Sequence, residues 1–83
     1  MSEHLSIDSG AFYSIQLQGS LDQSWADNYG NLKVVTYQGA DNSRPPVTTV
    51  VGEIVDQAAL SGLLSLAYSL GLPLLSVTYL GRP

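Results

Sequence analysis

No cysteine occurs in the 83 residues, which removes disulfides, thiolate metal sites and cysteine nucleophiles from consideration. Histidine appears once, as His4 near the start, too remote from any predicted element to anchor a triad or a metal cluster within one chain. Basic residues are nearly as scarce. Lys33, Arg44 and Arg82 stand apart against seven acidic residues, for a net charge of −4 and a pI near 4.3. Phosphate-rich partners need clustered Lys and Arg, so this scatter excludes nucleic acid and anionic membrane surfaces as partners. A phosphate loop and a dinucleotide fingerprint are also missing. The segment Met1–Asp8 has neither the basic start nor the apolar run of a signal peptide, so a cytoplasmic location is expected.

Charge of either sign is absent from residues 57–81, a length that could span a bilayer. Four serines, Gln57, Thr78 and the Gly71-Leu72-Pro73 break oppose a continuous membrane helix, and the upstream strands would have no core without this segment. The stretch instead reads as a capped helix, a stop and a strand. Asp56 is the N-cap, with a carboxylate able to accept from the free first-turn N–H groups. Gly71 supplies a left-handed closing residue and Pro73 prevents resumption, so the helix is predicted over Gln57–Leu70. Ala59, Leu60, Leu63, Leu64, Leu66, Ala67 and Leu70 fall within an arc of about 160°, the stripe of a helix laid on a core. The opposite face, with Gln57, Ala58, Ser61, Gly62, Ser65, Tyr68 and Ser69, is small, polar and uncharged, which suits a contact surface as well as a solvated one.

The run Asp56-Gln57-Ala58-Ala59-Leu60, then Gly62-Leu63-Leu64, then Leu70-Gly71-Leu72-Pro73-Leu74-Leu75-Ser76-Val77 resembles the C-terminal signature of short, largely uncharacterised bacterial proteins. Gly19-Ser20-Leu21-Asp22 followed by Trp25 is similar to a second patch in them, and together these cover about half of the chain. The resemblance implies fold context and no catalytic residues. Members of that group tend to carry charge where this helix has Ser65 to Ser69, so its uncharged face is a departure.

Upstream, residues 1–10 read as a flexible arm and 11–83 as one domain. A chain this short buries only about 60 to 65% of its unfolded surface, so burial against a partner would add appreciably to its stability. Phe12–Gln18 alternates, with Tyr13, Ile15 and Leu17 on one face and Ser14, Gln16 and Gln18 on the other, and is the first strand. A short helix is predicted over Gln23–Tyr29, where Leu21, Trp25 and Tyr29 recur four apart and would meet the core together. Leu32–Tyr37 and Val47–Val55 are the second and third strands, joined by a loop rich in turn residues; Gly52 marks a bulge or a close approach. Leu74–Leu80 is the fourth. The predicted core is Ile15, Leu17, Val34, Val50, Ile54, Leu60, Leu63, Leu64, Leu70 and Val77, with Trp25 closing one end.

The order strand, helix, strand, strand, helix, strand, with right-handed crossovers, implies an α+β fold: a four-stranded antiparallel sheet with both helices on one face, the ferredoxin-like split βαβ (β-α-β-β-α-β) arrangement. The first and third strands would be central. A three-stranded meander with one helix and a returning strand is the alternative if the Trp25 segment is not helical.

Carboxylates near predicted structure are Asp22, Asp27, Glu53 and Asp56; capping accounts for Asp56 and strand exposure for Glu53, so neither a catalytic nor a metal site is assigned, and no cofactor. The leading expectation is a non-enzymatic protein-interaction or regulatory module that works as a homo-oligomer, at least a homodimer. Its candidate interface is Ala58, Ser61, Gly62, Ser65 and Ser69 of the helix with Leu75, Val77 and Tyr79 of the fourth strand, which has no charge, proline or expected bulge to blunt its edge. The alternative is a small-molecule-binding or weakly catalytic domain that uses the turn of Gly19, Ser20, Asp22 and Trp25, where ferredoxin-like regulatory domains hold ligands.

Overall fold

The computed structural model describes residues 10–39 and 43–82, so apart from Gly10 the expected arm, His4 included, lies outside the described residues. The elements in chain order are β1 (Ala11–Gln18), α1 (Gln23–Ala26), β2 (Gly30–Tyr37), β3 (Val47–Ile54), α2 (Gln57–Ser69) and β4 (Leu74–Gly81). The fold is α+β, with a four-stranded antiparallel sheet in the order β2-β3-β1-β4. β1 and β3 are therefore central and β2 and β4 are the edges, as the element order predicts.

Alternation in β1 places Ala11, Tyr13, Ile15 and Leu17 on the covered face, all buried. The register sets Thr48, Val50 and Ile54 of β3 and Leu32 of β2 on the same face, where they meet Leu63 and Ala67 of α2, together with Leu21 and Ala26. Both helices thus serve one core on one face of the sheet. Ile15, Leu17, Val50, Ile54 and Leu63 are fully enclosed, and Val34, Leu60 and Leu64 pack partly against them.

α2 is closed at both ends by its own sequence. Asp56 accepts from the Ala59 N–H at 2.7 Å, and Gly71, at φ 74°, lets the Leu72 N–H reach the Ala67 carbonyl and its own N–H reach that of Tyr68. That pair of bonds is a Schellman stop. Gly52 proves to be a close approach: the β2–β3 register runs through it without a shift, and an added Cβ would run into the Asn31 carbonyl oxygen.

Four expectations are corrected. α1 is a single turn, so Leu21 precedes it and Tyr29 follows it; Ala26 enters the core while Trp25 stays 45% exposed and closes nothing. Leu70 is exposed as the C-cap of α2. Val77 is 40% exposed because β4 is an edge strand with a neighbour on one side only, outside the enclosed core of the central strands. β4 is also not free of irregularity: its pairing with β1 shifts between Phe12 and Tyr13 and between Gln16 and Leu17, passing over Leu80 and Leu75, and only Ser76–Tyr79 pairs in unbroken register.

Candidate functional site

In the turn from Gly19 to Trp25, Gly19 is held by the chain's own groups. The Gly19 N–H donates to Pro46 O at 2.7 Å, the Gly19 carbonyl accepts from Thr48 Oγ1 at 2.6 Å, and a Cβ at Gly19 would lie 2.6 Å from Leu72 Cδ2. Thr48 is fully buried, and because its proton goes to Gly19, Thr36 Oγ1 donates to it at 2.9 Å. Asp22 is the N-cap residue of α1 by position, but its carboxylate accepts from the Ser24 hydroxyl and not from a first-turn N–H. Ser20, Asp22 and Trp25 are exposed. Both backbone groups of Gly19 are thus committed within the chain, and the Trp25 ring at the other end of the turn is exposed. Among the described residues no group of three acidic or histidine side chains is placed to hold a metal ion.

The second candidate is β4. Register with β1 puts Val77 beside Ile15 and Tyr79 beside Tyr13, so both point to the helix side of the sheet; the Tyr13 and Tyr79 rings meet edge to face at 5.6 Å between centroids. Tyr13 is buried, with its hydroxyl accepting from Gln57 Nε2, whereas Tyr79 is only half covered. Leu74, Leu75, Val77, Tyr79 and Leu80 all remain between 40 and 54% exposed. Five large apolar side chains in one uncharged edge strand form an apolar strip that the described chain covers only by about half.

The outer face of α2 divides. Ala58, Ser61, Ser65 and Ser69 are exposed, but a Cβ at Gly62 would stand 3.0 Å from the Tyr29 ring, so Gly62 is explained by packing inside the chain. Since Tyr29 immediately precedes β2, Gly62 marks the flank of α2 turned to that side, and at 100° per residue Leu60, Leu64 and Tyr68 lie on the opposite flank, toward β4. Tyr68 is 86% exposed.

The two edges differ in one further respect that the sequence did not announce. Gln23 of α1 donates from Nε2 to Leu32 O at 2.8 Å and accepts from the Val34 N–H at Oε1, 3.0 Å. Its second amide proton goes to Asp27 Oδ1 at 2.8 Å, which fixes the amide's orientation. Among the described residues no side chain bonds to the backbone of β4.

A family model described as a domain of unknown function (DUF8691) matches residues 12–78, from β1 through most of β4. The chain belongs to that family. Comparison with curated proteins and with solved structures gives no match. The match covers α2, most of the central strands and β4 as far as Thr78, and brings no activity with it. Among the described residues no helix is long and apolar enough to cross a membrane.

Proposed function

We propose that this protein is a cytoplasmic, non-enzymatic interaction module whose working form is a homo-oligomer, at least a dimer, joined through β4. The strand order with both helices on one face supports reading it as a ferredoxin-like split βαβ domain in which the first helix is reduced to one turn. The observation that carries the reading is the strip of five half-exposed apolar side chains on β4. In a chain that can bury only about two thirds of its surface, a strand of this composition gains most from a partner. A second copy related by a two-fold axis would align Ser76–Tyr79 antiparallel with its counterpart, joining two sheets and covering Val77 and Tyr79 from both.

Sedimentation of the full chain over a concentration series tests this. The wild type is expected to reach twice the chain mass in the micromolar range, and Val77→Lys, which plants a charge at a half-exposed position outside the enclosed core, is expected to stay monomeric with unchanged circular dichroism. A wild type that remains monomeric throughout would refute the reading. The small-molecule alternative rests on the exposed Trp25, the only tryptophan, so its fluorescence reports any ligand taken at the Gly19 turn.

A further inference from the structure

We propose that Gln23 is an edge plug: its side-chain amide occupies the backbone of β2 as a neighbouring strand would, so that association through β4 stops at a closed dimer. The inference rests on the β4 reading above and adds what limits it.

The geometry starts from the alternation of an antiparallel strand. Because the Val34 N–H is taken by Gln23, Val34 points its backbone away from β3, and Leu32, two residues earlier, does the same. The C=O of Leu32 and the N–H of Val34, on either side of Lys33, are the pair that one residue of a parallel strand would engage. The primary amide of Gln23 presents one donor and one acceptor at matching spacing, and Asp27 holds it in the one orientation that serves both.

A plug is needed here more than at β4. β2 pairs with β3 over eight residues without a shift, so it is the more regular template, while β4 is interrupted on both sides of Ser76–Tyr79. All neighbours in the sheet are antiparallel, so β2 and β4 run in opposite directions. A copy translated along the sheet would bring its β2 against β4 in antiparallel pairing, and that contact does not close: it repeats without limit. Lys33 at the middle of the β2 edge and the amide beside it oppose that addition together. With β2 shut, the remaining free edge is β4, and two copies use it up.

Sedimentation of the full chain as wild type, Gln23→Leu and Gln23→Leu combined with Val77→Lys tests the plug. Leucine keeps the bulk of the side chain and loses both bonds. The wild-type mass is expected to level off at twice that of the chain; the mass of Gln23→Leu is expected to go on rising with concentration, and the double variant to go no further than a pair. A Gln23→Leu protein that levels off with the wild type overturns the plug and leaves the β4 reading standing. A monomeric wild type beside a Gln23→Leu protein that pairs overturns the β4 reading and supports the plug; monomers in both overturn the two together. Amide exchange on the wild type is a check that needs no variant. Val34 is expected to exchange about tenfold more slowly than Thr36, the next outward amide on the same edge, and equal rates would overturn the plug.

Discussion

β1 and β4 are paired neighbours of eight residues, each with five apolar side chains, yet β1 buries four of them and β4 buries none. Composition does not separate them. Position does: β1 has a strand on either side and lies within the enclosed core, and β4 has one neighbour and is only partly covered. Apolar content becomes stability only where something covers it, so the surplus in β4 is unspent inside one chain.

The largest effect that sharpens this contrast uses Ile15 and Val77, which sit opposite each other on the same face. Ile15→Ala opens a cavity in an enclosed site and is expected to cost about 2 to 5 kcal/mol. Val77→Ala in dilute solution is expected to cost about 1 kcal/mol or less, because much of its side chain stays wet. Thermal melting at submicromolar concentration measures both. Raising the concentration should then raise the wild-type melting temperature, since a partner that binds only the folded state stabilises it, and should leave Val77→Lys where it was. Equal costs for the two alanine variants in dilute solution would mean that β4 is covered within the chain.

A smaller effect tests the cover itself. β1 is buried because α2 is held over it, and α2 begins at the bond from the Ala59 N–H to Asp56. Asp56→Ala is expected to lower stability by about 1 kcal/mol, the usual worth of such a cap. A melting temperature unchanged by the substitution would mean that packing of Leu63 and Ala67 alone fixes where the helix begins.

What was legible in the chain follows the same division. The cap at Asp56, the stop at Gly71 and the alternation of β1 are local patterns, and the structure keeps them within a residue or so. The strand order was legible from element order and handedness. Burial of β4 was not: Val77 has the same sequence signature as Val50, and its place on an edge strand rather than a central one separates 40% exposure from none. Leu21, Trp25 and Tyr29 mimicked a helical stripe, but one turn of helix holds too few residues to carry it. The role of Gln23 joins a side chain to backbone groups at Leu32 and Val34, and no pattern in the sequence marks which glutamine will do so.

The smallest expected effect concerns the serine face, which the sequence offered as part of the contact. Ser65 lies opposite Leu63 and Ala67 on the helix, so it points away from the sheet, and Gly62 on the adjoining flank faces Tyr29. Two sheets joined edge to edge at β4 bring the opposite flank, that of Leu64 and Tyr68, nearest the partner. Ser65→Lys should therefore change stability by no more than about 0.5 kcal/mol, as surface substitutions do, and should leave the oligomer mass as it was. Gln16→Lys, on the exposed face of β1 away from the helices, is expected to be equally silent. Sedimentation of both variants beside Val77→Lys assigns the surface. A loss of mass with Ser65→Lys would move the contact onto the outer face of α2, a loss with Gln16→Lys would move it to the open face of the sheet, and in either case the exposed strip on β4 would no longer be the seat of association.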